Sequence, residues 1–198
     1  MTFEQALKAN QSVFEIDVAE EAISRLNAYY EMLNRWNARL HLVAPCSPEE
    51  FATQHVLESL MLLKHLPDSA KIADIGSGAG LPVIPCLIAR PDLHATLIES
   101  SQKKSVFLRE ASNQLGLAST VIAKPFEDVP APDVSFVTCR ALDQFIEKIP
   151  VLMKWTPANS TLLLYGGDTL RQKLDKVKVE VFKIPMSERR YLFVVNTD

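Results

Sequence analysis

This chain of 198 residues lacks a long apolar run. A helix needs about 20 such residues to cross a bilayer, so no transmembrane helix is expected. Met1 to Asn10 is polar and mixed in charge, unlike a secretory signal, and a cytoplasmic protein is expected. Cysteine is scarce: Cys46, Cys86 and Cys139 lie far apart, with no C-x-x-C pair and no His/Cys cluster. That spacing argues against a zinc site or a disulfide framework and for reduced thiols. There is no excess of positive charge either; the net charge is −3. Any contact with nucleic acid must therefore come from a local patch, not from the field of the whole molecule. Internal repeats and low-complexity segments are missing too, and 47% hydrophobic content suffices for one core.

Glycine is also rare, yet three of the six glycines fall within Gly76-Ser77-Gly78-Ala79-Gly80. An apolar strand (Ile72, Ala73, Ile75) runs into this turn, and a helix follows it. A second apolar strand, Ala95 to Ile98, ends on Glu99. Glycines at this spacing let the backbone turn tightly and approach a ligand closely. An acid at the tip of the adjacent strand is placed to accept both hydroxyls of a ribose. The pattern therefore implies a cofactor that contains a nucleoside. The dinucleotide fingerprint is G-x-G-x-x-G, with a pyrophosphate at the helix N-terminus. Here the spacing is G-x-G-x-G, and Asp74 stands two residues before the first glycine. An acid there repels a pyrophosphate but suits the ammonium of a methionine moiety. S-adenosylmethionine is the cofactor expected.

The first seventy residues read as helical. Val18, Ala22, Ile23, Leu26, Tyr30, Leu33 and Leu40 recur at helical spacing, with Asp17 placed as N-cap. Ser47-Pro48-Glu49-Glu50 is a second helix start, and that helix ends near Leu66-Pro67. From Lys71 onward strands are predicted at 71–75, 94–99, 119–123, 133–139 and 160–165, with helices at 81–90, 102–115 and 142–153. Such alternation implies a parallel sheet covered on both faces. Val177, Val179 and Val181, then Tyr191 to Val195, predict an antiparallel end to the sheet. The fold class is thus α/β: a Rossmann-like (class I) methyltransferase fold of seven mostly parallel strands with an antiparallel last strand. Residues 1–70 form a helical extension and residues 71–198 the core domain.

Strand four ends in Phe136-Val137-Thr138-Cys139-Arg140-Ala141. The D/N-P-P-aromatic sequence of enzymes that methylate exocyclic amines is absent, as is the Pro-Cys of those that attack cytosine C5. Cys139 therefore reads as a buried strand residue. What remains is chemistry that needs no proton removal. Guanine N7 carries a lone pair and no hydrogen, so proximity and orientation suffice for its methylation. Arg140 is the candidate catalytic residue, its fork of donors suited to N7/O6-like acceptors, phosphates or the cofactor carboxylate. His55 and Glu58, one helical turn apart, read as a structural pair; two ligands alone do not hold a metal. The local basic groups are Lys103, Lys104 and Arg109, then Arg171, Lys173, Lys176 and Lys178, then Arg189 and Arg190.

Several stretches together resemble one family. They are Leu33-Asn34-Arg35-Trp36-Asn37 with Leu40-His41-Leu42-Val43, His55-Val56-Leu57-Glu58-Ser59-Leu60, Asp74 to Pro82, Leu97 to Ser100, Lys103 to Leu108, Arg140-Ala141 and Glu188-Arg189-Arg190. The chain is similar along nearly its whole length to the RsmG/GidB family, bacterial guanine-N7 methyltransferases of 16S ribosomal RNA. The resemblance implies a class I methyltransferase fold with a helical N-terminal extension, and S-adenosylmethionine as cofactor. Its substrate would be ribosomal RNA or the small ribosomal subunit, acted on by a monomer. Gly76, Leu81, the positions around Lys124 to Glu127, and Arg140 would contact the cofactor. With the glycine turn, the candidate cofactor residues are Asp74, Gly76, Ser77, Gly78, Gly80, Leu81, Glu99, Ser100, Pro125, Phe126, Glu127 and Arg140. The chain departs from the family pattern at Val83, where a glycine is usual, at Lys124 to Glu127, at Glu58, His41 and Val43, where Asp, Asn and Thr are usual, and at Tyr165, where a lysine is usual. Tyr165 is expected beside the mouth of the site, free to stack on a base. The rival readings are a methyltransferase on a small molecule or protein, and a paralogue that binds cofactor or RNA without turnover.

Overall fold

The computed structural model describes residues 1–140 and 144–197. Ala141 and the first two positions of the helix expected at 142–153 lie outside the described residues. Seven strands form one sheet: β1 (Lys71–Ile75), β2 (His94–Ile98), β3 (Ser119–Ile122), β4 (Phe136–Arg140), β5 (Thr161–Gly166), β6 (Glu180–Lys183) and β7 (Tyr191–Asn196). Their spatial order is β3-β2-β1-β4-β5-β7-β6. Pairs from β3 through β5 are parallel, and β7 runs antiparallel to both β5 and β6. The order reverses direction beside β1, so the ends of β1, β2 and β4 open a crevice at the carboxyl edge, the usual place for a ligand in such sheets.

Both faces are covered, as a parallel sheet requires. In β5, Leu162 and Leu164 join one apolar cluster while Leu163 and Tyr165 join the other, following the period of two. Helices Val83–Ala89 and Gln102–Gln114 connect the first strands. On the same face as Leu163 lies the N-terminal region, with helices Phe3–Asn10 and Glu20–Leu40. A continuous helical run from Pro48 to His65 completes it, passing through a π-helical stretch at Phe51–Leu57. Phe3, Leu26, Tyr29, Phe51 and Leu60 share one continuous core with Ile72, Leu97 and Leu163 of the sheet.

Local signals hold in most places. Ser47 caps its helix in a reciprocal box: its hydroxyl accepts from the Glu50 amide, and the Glu50 carboxylate accepts from the Ser47 amide. The expectation for Asp17 fails. The helix starts at Glu20 with Ala19 at the cap, because the Val18 amide donates to the side chain of Gln11 at 3.0 Å and holds the chain extended there. Near the other end, a short helix Asp168–Lys173, invisible in the sequence pattern, packs Leu170 into the core. It displaces the start of β6 to Glu180, and Val177 instead closes the turn after that helix, its amide donating to Leu174.

Candidate cofactor site

The carboxyl ends of β1 and β2 build the glycine turn together. The Gly76 and Ser77 amides both donate to the Ile98 carbonyl, at 2.8 and 3.2 Å, which swings the chain across the tip of β2. Gly76, Gly78 and Gly80 have φ of 69°, 53° and 86°, the left-handed region that favours glycine. Gly80 has a second reason: a Cβ there would lie 2.2 Å from Ile84 Cδ1, so its absence lets the following helix close on the turn. The Glu99 carboxylate clasps the turn, one oxygen accepting from the Gly78 amide at 2.8 Å and the other from the Ser101 amide at 2.7 Å. Each oxygen keeps a second lone pair for a ligand.

A cavity of about 520 Å³ opens over this turn. Of the expected residues, Gly76, Ser77, Gly78, Leu81, Glu99, Ser100 and Arg140 line it. Asp74 and Gly80 lie behind the wall. Asp74 is only 1% exposed, and neither carboxylate oxygen has a hydrogen-bond partner among the described residues. Burial pushes its pKa up to about 7; Ser77 opposes the shift and the Glu99 charge adds to it. Pro125, Phe126 and Glu127 stand away from the cavity wall. Phe126 is buried edge-on against Trp155, and Glu127 pairs with Lys148 at 2.9 Å.

The wall also contains Leu42, Val43, His55, Ala79, Ser101 and Lys104, which are outside the set expected to hold the cofactor. Leu42 and Val43 come from the strap after the long helix. Asn37 pins that strap, its amide group donating to the Val43 carbonyl and accepting from the Val43 amide, both at 3.0 Å. The Asn37-to-Val43 stretch was a recognisable motif, but its spacing carries no sign of what it faces.

Arg140, at the end of β4, is held by the N-terminal region. Its Nη2 donates to the Gln54 carbonyl at 2.9 Å and to His55 Nδ1 at 3.2 Å. An arginine only donates, so Nδ1 accepts and the ring proton sits on Nε2. Burial, then the charges of Arg140 and Arg190, push the His55 pKa down to about 4, so the ring is neutral at physiological pH. Glu58 is buried, one oxygen 3.6 Å from Arg140 and the other 3.0 Å from Arg190. Arg140 Nη1 is left buried with no acceptor among the described residues.

Two expectations change here. Tyr165 is 4% exposed and faces the N-terminal region, not the mouth: the period-two register that carries Leu163 inward carries it too. Its hydroxyl donates to the Glu58 carbonyl at 2.8 Å, and Arg140 lies over its ring at 5.7 Å. Arg190 is tied to Glu58 and Ser187 instead of standing free for RNA. Arg189 is exposed and paired with Asp168.

The fold is similar to solved methyltransferases at low identity. A ribosomal protein L11 methylase from Lactobacillus delbrueckii aligns with TM-score 0.60 and 12% identity over 73% of this chain and 79% of that one. A SAM-dependent methyltransferase from Aquifex aeolicus aligns with TM-score 0.58 and 15% identity, over 74% and 92%. Sequence relatives are nearer. Ribosomal RNA small subunit methyltransferase G of a Neisseria meningitidis serogroup C strain is 34% identical over 93% of this chain and 86% of its own. The protein of the same name from Ruegeria is 31% identical over 83% and 82%. The family model described as rRNA small subunit methyltransferase G matches residues 22–197. Fold, crevice and sequence agree: this chain belongs to the rRNA small subunit methyltransferase G (GidB) family.

Proposed function

We propose that the cavity over the glycine turn binds S-adenosylmethionine, and that the chain directs its methyl group to N7 of a guanine in 16S ribosomal RNA. The chemistry of the wall fits the cofactor. Its volume suits a ligand of this size, Glu99 offers lone pairs to ribose hydroxyls, and Gly78 presents bare backbone. Arg140, also on the wall, offers a guanidinium to the cofactor's carboxylate. When bound, the cofactor supplies an electrophilic methyl on a sulfonium. The chain's own residues do the rest. Leu42, Val43 and Leu81 line the cavity with apolar surface that keeps water from the methyl. Asp74, behind the turn, adds negative potential toward the cofactor's cationic amine.

The observation that carries the guanine N7 assignment is the poverty of bases on the wall. His55 titrates near 4, with Nδ1 already accepting from Arg140, so it is a weak proton acceptor. The Glu99 carboxylate is committed to the loop amides and, in this reading, to the ribose hydroxyls. Such a site serves a nucleophile that has a lone pair and no proton to lose, and it works by orientation. Lys104 on the wall and exposed Lys103 beside it supply phosphate contacts for the RNA. This reading has a monomer act in the cytoplasm on ribosomal RNA or a small-subunit particle. Mass-spectrometric nucleoside analysis of 16S RNA from cells with and without the protein is the test. Loss of one 7-methylguanosine in its absence is expected; unchanged RNA alongside methylation of a small molecule or protein would overturn the reading.

A further inference from the structure

We infer that Glu58 is a positioning residue, which sets the Arg140 guanidinium for the carboxylate end of the cofactor. The inference rests on the reading that Arg140 meets that carboxylate. Three separate parts of the chain converge at this point. Arg140 ends β4, Glu58 belongs to the Pro48-to-His65 helical run, and Arg190 precedes β7. The Glu58 side chain is 3% exposed and lies between the two guanidinium groups, 3.6 Å from Arg140 and 3.0 Å from Arg190. Burial raises its pKa, and the two arginines offset only part of that rise.

The arrangement of donors says what the carboxylate does. Arg140 Nη2 is engaged by the Gln54 carbonyl and the His55 ring, both on the same helical run as Glu58. Its Nη1 is buried with no acceptor among the described residues, so Arg140 lines the cavity through its other atoms. Glu58 Oε1 lies 3.6 Å from that same Nη2, so one amine carries all three contacts and, in a planar guanidinium, its position sets how the rest of the group is presented. Glu58 also stands between Arg140, which is largely buried, and the partly exposed Arg190, and offsets the charge of both. Tyr165 completes the seat, its ring under the guanidinium at 5.7 Å and its hydroxyl bound to the Glu58 carbonyl. The tyrosine in place of the family's usual lysine thus acts on Arg140 from below, with no reach to the mouth.

Two ligands separate this role from a merely structural one: S-adenosylhomocysteine and its decarboxylated analogue, which keeps adenosine, sulfur and amine. Affinities are measured by calorimetry on the full chain. Glu58→Gln is expected to weaken S-adenosylhomocysteine about tenfold and leave the decarboxylated analogue within about twofold. A selective loss supports the inference; equal losses on both ligands, or none, overturn it. Where Glu58→Gln does not fold, Glu58→Asp is read the same way. It keeps the charge but draws the carboxylate back by one methylene from the 3.6 Å contact with Arg140, and a selective loss of about threefold is expected. Arg140→Gln tests the underlying reading separately. Selective loss in Arg140→Gln without any in the Glu58 variants sinks the positioning role alone. No selective loss in Arg140→Gln sinks the assignment of Arg140 to the cofactor carboxylate.

Discussion

The two ends of the cavity are built in opposite ways. At the Glu99 end every part is local: a strand, five residues of turn, a second strand and its terminal acid, all within residues 72–100. Backbone amides and one carboxylate hold it, and the three left-handed glycines admit few substitutes. At the Arg140 end nothing is local. The arginine contacts residues 85 and 86 positions earlier in the chain, and Tyr165 reaches back 107 to the Glu58 carbonyl. Charged and aromatic side chains hold this end, and it exists only when the N-terminal region is docked. The contrast teaches that the first end is set by backbone geometry and the second by packing, so substitutions should act on them differently.

The sharpest break should come at the turn. Gly78→Val puts a β-branched residue at φ +53° on the cavity wall, where backbone strain and lost space combine. Cofactor affinity should fall by roughly a hundredfold or more, or about 3 kcal/mol, in calorimetry against S-adenosylhomocysteine. Tight binding by this variant would remove the turn from the site. Glu99→Ala comes next: it takes an acceptor from two loop amides as well as from the ribose, for about 1–3 kcal/mol of binding. Here the adenosine moiety alone should suffer as much as the whole cofactor, which contrasts with the carboxylate-selective loss expected from Glu58.

Asp74→Asn probes the strain stored behind the turn. The buried Asp74 carboxyl has a folded-state pKa of about 7, above its unfolded value. A raised acid binds more protons folded than unfolded, so native stability should decline as pH rises from about 4 to about 7. The asparagine variant should therefore melt several degrees higher than the parent at pH 8, with the gap closing toward pH 4. Thermal unfolding at a series of pH values checks it; a constant gap would mean that Asp74 is not the group titrating. The smallest effect belongs to Tyr165→Phe. Loss of its buried hydroxyl bond should cost about 1–2 kcal/mol of stability. Cofactor affinity should barely change, because the ring under Arg140 remains. A large rise in the apparent RNA KM without destabilisation would instead return Tyr165 to the mouth.

How legible each end was in the sequence follows from the same contrast. The glycine turn, Glu99 and the parallel order of strands are written as short-range patterns, because positive φ and strand alternation are properties of a few adjacent residues. Arg140 was recognised at the end of its strand, but its partners were not. His55 and Glu58 read as a structural pair, while the structure joins both to Arg140. The Asp17 cap and the start of β6 were misplaced for a related reason. A side chain seven positions away captures the Val18 amide, and a short helix spends Leu170 and Leu174 on the core before the strand begins.

By itself the sequence determined the α/β alternation, the glycine turn and the family, because these rest on spacings that the backbone imposes wherever they occur. Only the tertiary structure decided which residues share the cavity wall. It set Asp74 behind the wall, took Pro125, Phe126 and Glu127 away from it, and brought Leu42, Val43, His55 and Lys104 to it. It also turned Tyr165 inward and made Arg190 a partner of Glu58. The physical reason is the docking of the N-terminal helices on one face of the sheet. That face becomes dry, so tyrosine and carboxylate on it must find partners inside the protein.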